Sequence, residues 1–171
     1  MAALVNNKAE LLLNDAIKPR LLRFREVCAI YRCFVTEITN YPGQYIDKFV
    51  TRQFDRILLD VQCSGEGRID LRRPRALLFW SEHRIRKFSR LQKKMLISSF
   101  KLLRPGEILV YSTCTFAPEE NEEPVDYLLR NYPARVEEIQ IEVPSQSGLT
   151  LWGEKKYHPD LSKALRVLPS E

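Results

Sequence analysis

Short apolar runs alternate with amphipathic stretches along most of the chain, a pattern that is typical of strands each followed by a helix. The predicted strands are residues 9–15, 34–39, 56–61 and 107–112. The predicted helices are residues 16–31, residues 81–103 and a third helix that begins at Pro118. Strands and helices that alternate at this spacing predict an α/β fold with a parallel, doubly wound sheet.

Two further stretches complete the strand prediction. Residues 56–61 form a near-continuous apolar run, which indicates a parallel strand covered on both faces. Residues 136–143 alternate between apolar and polar side chains, which predicts an antiparallel strand at an edge. The tail that follows is rich in Pro, Ser, Lys and Arg and carries no clear element.

The long second helix has clear signals at both ends. Ser81 is placed to cap its N-terminus, and residues 104–106, Arg-Pro-Gly, predict its stop. In the first helix Pro19 falls in the first turn, where proline is tolerated. The third helix contains Pro124, which predicts either a kink or a later start.

Length and composition describe one domain of a globular protein. A chain of 171 residues can bury about two thirds of its unfolded surface, and 44% hydrophobic and 29% charged residues are ordinary fractions. No apolar run approaches the ~20 residues of a membrane span, so we expect no membrane insertion. Residues 1–8 lack the basic region and apolar core of a signal peptide, and we therefore expect a cytoplasmic protein.

The four cysteines are expected to be reduced thiols. They form no CxxC pair and show no metal-ligand spacing with the two histidines, so we expect no bound metal. A chain without a secretory signal keeps its thiols reduced in the cytosol. Cys28 and Cys33 are interpreted as buried structural residues of a helix and a strand.

Positive charge is concentrated in one block of the chain. The net charge is +5, but residues 68–104 carry twelve Lys and Arg residues against only Asp70 and Glu82. Such a block indicates a polyanionic partner, or alternatively the solvated face of a helix. Composition alone leaves both interpretations open.

The remaining two cysteines follow strand-like apolar runs. Cys63 lies in ILLDVQCSGEG, residues 57–67, and Cys114 lies in LVYSTCTFAPEENE, residues 109–122. A buried strand that ends in small polar residues presents reactive groups at the carboxyl edge of an open α/β sheet. Two thiols at that edge are what covalent attack on a ring, helped by a second thiol, requires.

Residues 60–67 and 109–122 resemble two motifs of the Sun/Fmu family, the S-adenosylmethionine-dependent RNA (cytosine-5) methyltransferases. Residues 14–21 are similar to the family's second strand and the helix after it, and residues 148–150 and 158–159 to its approach to the last strand. The resemblance covers nearly the whole chain. It implies a Rossmann-like class I methyltransferase sheet with helices on both faces.

The resemblance also implies roles for four residues. Cys114 is the nucleophile that adds to carbon 6 of cytosine, because carbon 5 alone is a poor nucleophile. Cys63 assists release of the methylated RNA, and Asp60 contacts the cytosine edge. Asp15, with Asp60, binds the cofactor S-adenosylmethionine, Asp15 at the ribose. The alternatives are that the cysteines are ordinary core thiols and that Asp15 only caps a helix.

An RNA partner gives the basic block a role. The residues predicted to contact RNA phosphates are Arg68, Arg72, Arg73, Arg75, Lys155 and Lys156. Trp80 is interpreted either as a base-stacking residue or as packing under the start of the second helix. The resemblance favours ribosomal RNA over transfer RNA as the substrate.

The chain departs from the family pattern at both ends and at two internal positions. The Gly-rich cofactor loop is absent, the sequence begins inside the helix that follows it, at residues 2–5, and the similarity to the family stops at Leu168-Pro169, just before the family's final strand. We therefore expect residues 1–171 to be a partial catalytic domain that lacks the first and last strands and the N-terminal RNA-binding domain. Gln62 replaces the family's proline, and Pro42 replaces an acid that reads adenine.

Two alternatives to an active methyltransferase follow from these departures. One is a degenerate RNA-binding module that has no methyl donor site. The other is a chain whose sheet is completed by a partner chain or by domain swapping.

Overall fold

The computed structural model describes residues 6–73 and 75–168. The predicted helical start at residues 2–5 and the stop at Pro169 lie outside the described residues. Among the described residues, no helix is long and apolar enough to cross a membrane.

The first strand–helix–strand unit pairs two short parallel strands. Strand β1 is Leu12–Asn14, helix α1 is Lys18–Ile30 and strand β2 is Glu37–Thr39. Leu13 lies opposite Ile38 in the parallel register. Helix α1 begins at Lys18 because Ile17 is the extended N-cap residue and Pro19 occupies the first turn.

The second unit is longer and carries the two cysteine motifs. Strand β3 is Phe54–Asp60, helix α2 is Glu82–Lys101 and strand β4 is Leu103–Ser112. The two strands are parallel, and Asp60 lies opposite Ser112 at their carboxyl ends. The predicted cap of α2 is confirmed, because the Ser81 hydroxyl accepts the Arg84 N–H at 3.2 Å.

The start of β4 differs from the sequence prediction. Residues 104–106, predicted as a helix stop, lie in β4, and α2 ends before them at Lys101. The Phe54 N–H donates to the Leu102 carbonyl at 2.8 Å, so strand pairing begins directly after the helix. Gly106 has φ 84°, a conformation that glycine adopts without strain, next to the register shift between Phe54 and Arg56.

The last third of the chain contains one helix and short antiparallel pairs. Helix α3 is Glu122–Asn131, and the strands are β5 (Gln146–Ser147), β6 (Leu151–Trp152), β7 (Lys155–Lys156) and β8 (Leu165–Arg166). Helix α3 takes the later of the two predicted starts, with Pro124 in its first turn. The predicted edge strand at residues 136–143 is wrong, because the antiparallel pairs are β5 with β8 and β6 with β7.

The parallel strands form two separate pairs within the described residues. β1 bonds to β2 and β3 bonds to β4, but no described strand joins β1 to β3. One face of the β3–β4 pair also leaves apolar side chains half exposed, with Leu58 at 51%, Ile108 at 44% and Val110 at 46%. Parallel sheets are normally covered on both faces, so this face and the inner edges are unpartnered here.

The core lies between the β3–β4 pair, α2 and α3. Leu96 of α2 and Leu161 are almost completely buried there. A 3-10 helix, Gly43–Lys48, also packs closely on α2. A Cβ at Gly43 would lie 2.7 Å from Met95 Cε, so only glycine allows this approach without moving Met95.

Candidate active site

Two thiols meet beyond the carboxyl ends of β3 and β4. Cys63 and Cys114 follow the paired residues Asp60 and Ser112 by a few positions, so the sheet register brings their loops together. Their Sγ atoms are 3.0 Å apart, and the Cys114 N–H donates to Cys63 Sγ at 3.3 Å. The two cysteines that the motifs single out therefore share one site.

The two thiols differ in exposure. Cys63 is buried, with 8% of its surface exposed, whereas Cys114 is exposed. Burial, together with the side-chain hydrogen bond between the two thiols, raises the pKa of Cys63 to about 12. The Cys63 thiol therefore stays protonated at neutral pH beside an accessible Cys114, which suits Cys114 to attack and Cys63 to hold a proton.

A buried polar group that sequence reasoning missed supports the Cys63 loop. Glu120, which is fully buried, accepts the Ser64 N–H at 3.0 Å and the Gln92 side-chain amide at 2.8 Å. The same Gln92 nitrogen donates to the Gln62 carbonyl at 2.9 Å. Gln92 falls on the apolar face of α2, and a polar residue on such a face was the available signal.

A second carboxylate ties the two loops to each other. Glu66 accepts the Phe116 N–H and the Thr115 hydroxyl, each at 3.1 Å. The Trp80 indole N–H also donates to Glu66, at 2.6 Å. Trp80 is thus bonded to the site's own loop and is 44% exposed, so both sequence interpretations of Trp80 remain compatible with its position.

A buried ion pair holds the segment after Cys114 to the C-terminal part of the chain. Arg166 contacts both carboxylate oxygens of Glu122, at 2.6 and 2.8 Å, with the side chains 14% and 3% exposed. Arg166 also donates to the Phe116 carbonyl, and Glu122 accepts the Leu149 N–H at 3.1 Å. No sequence pattern indicated this pair.

The two predicted aspartates lie on different strand pairs. Asp60 is exposed at the end of β3, on the same edge as the thiols. Asp15 follows β1 and accepts the Ile17 N–H at 2.8 Å, while Arg20 lies 3.6 Å from its other oxygen. Asp15 therefore stabilises the turn into α1 and keeps one oxygen free of any hydrogen bond within the described residues.

The predicted RNA-binding cations are exposed but not equally available. Arg72 and Arg73 lie 2.9 and 3.4 Å from Asp70, and the Arg72 hydrogen bonds lower the pKa of Asp70. Lys155 is bound to Glu123 at 2.8 Å. Arg68, Arg75 and Lys156 are exposed and form no ion pair with any described residue.

Parallel strands joined by helices, with a thiol pair at the carboxyl edge, define an α/β protein equipped for nucleophilic chemistry. Comparison with known families identifies it further. The family description 16S rRNA methyltransferase RsmB/F matches residues 1–171, and the chain belongs to this family of S-adenosylmethionine-dependent RNA methyltransferases.

Individual relatives agree with this assignment. The chain is 32% identical over 171 residues to the tRNA (cytosine(49)-C(5))-methyltransferase of Pyrococcus abyssi, covering all of this chain and 54% of the relative. It is 38% identical over 144 residues to ribosomal RNA small subunit methyltransferase F of Cronobacter sakazakii, covering 83% of this chain and 29% of the relative. The chain thus spans about half the length, or less, of these relatives.

Solved structures resemble the fold. A methyltransferase homolog protein from Pyrococcus horikoshii matches with a TM-score of 0.82 and 25% identity, over 97% of this chain and 50% of that one. NSun6 from Pyrococcus horikoshii with SFG matches with a TM-score of 0.73 and 29% identity, over 85% of this chain and 36% of that one. The Rossmann-like α/β class and the Sun/Fmu resemblance are confirmed.

Proposed function

We propose that this chain is part of the catalytic domain of an RNA cytosine-5 methyltransferase, which methylates carbon 5 of a cytosine through a covalent adduct with Cys114. The observation that carries the proposal is the pair of Sγ atoms 3.0 Å apart at the carboxyl edge of β3 and β4. The relatives, whose names include RNA cytosine methyltransferases, support it.

The residues at the sheet edge fit S-adenosylmethionine in their chemistry. Among the described residues Asp15 has one carboxylate oxygen that accepts no hydrogen bond and lies 3.6 Å from Arg20, and this oxygen can accept from a ribose hydroxyl; the exposed Asp60 carboxylate can accept from hydroxyl or ammonium groups. The cofactor, when bound, supplies an electrophilic methyl group on a sulfonium. SFG in the NSun6 structure is an analogue of this cofactor, which supports the assignment.

The protein's own groups perform the covalent part of the reaction. The Cys114 thiolate forms a bond to carbon 6 of cytosine, which pushes electron density to carbon 5 and makes that carbon nucleophilic. After methylation a base removes the carbon 5 proton, the bond between Sγ and carbon 6 breaks, and Cys114 leaves as thiolate. The protonated Cys63, at 3.0 Å, can donate a hydrogen bond to that leaving sulfur.

Methyl transfer to RNA tests the proposal directly. Labelled S-adenosylmethionine is incubated with this chain and either ribosomal or transfer RNA transcripts, and the RNA is digested to nucleosides. Label in 5-methylcytidine is expected, with ribosomal RNA as the preferred substrate. Label in another nucleoside would refute the reaction, whereas label in transfer RNA alone would correct only the substrate.

A degenerate RNA-binding module is the second candidate. The break between β1 and β3 within the described residues favours it, because Asp15 and the thiols then sit on separate strand pairs. Salt-sensitive RNA binding by a folded chain that neither binds S-adenosylmethionine nor methylates RNA would support this alternative. An RNA substrate and reduced thiols fit a cytoplasmic location, which stays a prediction.

The unpartnered edges support one more proposal, that a partner segment supplies a parallel strand between β1 and β3. The half-exposed Leu58, Ile108 and Val110 lie on the open face of the β3–β4 pair and not at its edge, so the part of the segment outside the added strand would cover them. The probe is the part of the Pyrococcus abyssi relative that lies outside the matched region, expressed as a separate polypeptide.

Calorimetric titration measures whether that polypeptide completes the cofactor site. We expect S-adenosylmethionine to bind at least tenfold more tightly to the mixture than to the chain alone, and Val110→Lys to remove the gain because it places a charge on the face. Equal affinity with and without the polypeptide would contradict the proposal. Light scattering that finds a dimer of the chain alone would indicate self-association instead.

A further inference from the structure

A cavity separate from the thiol pair lies between α2 and the 3-10 helix Gly43–Lys48. Its volume is about 450 Å³, and its lining includes Tyr45, Arg86, Lys87, Arg90 and Lys94. No carboxylate lines it. A cavity with this lining has a strongly positive potential and attracts an anion.

Apart from Arg84, the Lys and Arg residues of α2 fall into two groups. Arg86, Lys93 and Lys101 are each paired with a carboxylate, those of Glu82, Glu123 and Asp47, at 2.8–3.0 Å. Lys87, Arg90 and Lys94 are exposed, line the cavity and form no ion pair with any described residue. Of the four Lys and Arg residues in the lining, only Arg86 is paired within the described residues, with Glu82, so three unpaired positive charges face the cavity.

The 3-10 helix is bonded to α2 next to the cavity. The Ser98 hydroxyl donates to Asp47 at 2.5 Å, and the Asp47 N–H donates to the same hydroxyl at 3.0 Å. Lys101 adds a bond to the other Asp47 oxygen at 3.0 Å and, with Ser98, lowers the pKa of Asp47 despite its partial burial. Gly43 lets the 3-10 helix approach Met95. These contacts hold together the two elements whose side chains line the cavity.

The unpaired cations form a line that leads toward the candidate active site. Lys87, Arg90 and Lys94 recur at helical spacing, and His83, which is not counted as a charge, precedes them on the same face of α2; the four span about 16 Å. The line begins next to Ser81, directly after Trp80, whose indole is bonded to Glu66 beside the Cys114 loop. A flexible polyanion that enters the active site can continue along this face.

We infer that this groove, which we call the α2 groove, binds the phosphates of single-stranded RNA flanking the target cytosine. The inference rests on the proposed function, because the proposed substrate is RNA and the groove adjoins its site. Lys87, Arg90 and Lys94 contact successive phosphates, and Tyr45, 42% exposed at the groove wall, offers a face for a base. These contacts position RNA without reading its sequence.

Salt-dependent RNA binding tests the α2 groove. The probe is a fluorescent single-stranded oligouridylate, measured by anisotropy over a range of salt concentrations. The groove variant is a triple variant that combines Lys87→Gln, Arg90→Gln and Lys94→Gln, and glutamine is well tolerated at exposed helix positions. It is expected to bind the oligouridylate at least tenfold more weakly than the parent chain does at moderate salt. The slope of log affinity against log salt should fall by about 2, since each phosphate contact contributes about 0.7 for a single strand.

A second triple variant, matched to the groove variant in net charge, controls for the loss of three positive charges. Arg52→Gln, Arg104→Gln and Arg135→Gln also remove three positive charges, but from exposed side chains paired with Glu37, Asp55 and Glu137. It should bind RNA within about twofold of the parent chain. Equal weakening in both triple variants, or an unchanged salt slope in the groove variant, would overturn the inference. If the triple groove variant does not fold, the single variant Arg90→Gln still tests the groove. It should lower the slope of log affinity against log salt by about 0.7.

Two further readouts separate this inference from the proposed function and from another ligand. Adduct formation at saturating RNA should be the same in the groove variant as in the parent chain, because Cys63 and Cys114 are unchanged. Groove-dependent RNA binding without any adduct would support the groove while refuting the catalytic proposal. Polyglutamate binding to the groove more tightly than RNA would overturn the choice of RNA.

Discussion

Replacing Cys114 by alanine is expected to abolish methyl transfer, with a loss of about a thousandfold or more, because the reaction then lacks the nucleophile that activates the cytosine ring. Cys114 is the accessible member of the thiol pair. Cys63 is buried, and burial alone raises the pKa of its thiol, so we do not expect it to take over the attack at neutral pH. Single-turnover transfer of labelled methyl to RNA measures the loss.

The variant Cys63→Ala should behave in the opposite way. It keeps the nucleophile but loses the neighbouring proton donor, so RNA covalently bound through Cys114 should accumulate and appear as a shifted band on a denaturing gel. Cys28→Ala, which changes a free cysteine of α1, is the matched control and should keep the parent activity. An adduct that accumulates in Cys114→Ala instead would reverse the two roles.

Replacing Arg166 by methionine is expected to lower the free energy of unfolding by about 3–5 kcal/mol, because it leaves the Glu122 carboxylate buried without its counter-charge. Methionine retains apolar bulk, so the loss reports mainly the charge and its hydrogen bonds. The Phe116 carbonyl loses its Arg166 donor as well. Urea denaturation, followed by tryptophan fluorescence, gives the change in the midpoint at constant slope.

Two other variants show whether the buried pair is the cause. Arg135→Met removes an ion pair with Glu137 in which both side chains are mostly exposed, and it should cost less than about 0.5 kcal/mol. The double variant Glu122→Gln with Arg166→Met should recover part of the stability, because no buried charge remains. If Arg166→Met and Arg135→Met unfold at the same urea concentration, the buried pair contributes no more to the free energy of unfolding than the exposed pair does.

The thiol pair could be anticipated because one local pattern fixes it. An apolar run that ends in small polar residues predicts a strand end, and two such ends in a parallel pair meet at one edge. The register of Asp60 opposite Ser112 then brings the two cysteine loops together. The motifs around Cys63 and Cys114 resembled a family for the same reason, since catalytic loops keep their local sequence.

The groups that support the site depend on distant contacts and were not predictable in this way. Glu120 lies two residues after Pro118 in the predicted third helix, with no local sign of burial, yet it is buried against Ser64 and Gln92, 56 and 28 residues away. The alternation at residues 136–143 predicted a strand, but pairing needs a neighbouring edge, which a periodicity does not reveal. Residues 104–106 joined β4 because tertiary pairing outweighed the local stop signal.

The division of the parallel strands into two pairs has a consequence for how the protein opens. Leu21 is the one buried residue of α1, and β1 is bonded within the described sheet to β2 alone. The β1–α1–β2 unit therefore forms a cooperative unit of its own, with a lower free energy of local opening than the β3–α2–β4 body. Fluctuations that release Asp15 leave the sulfur atoms in register, so we expect the proposed binding of the methyl donor and the proposed covalent capture of a base to be lost at different temperatures.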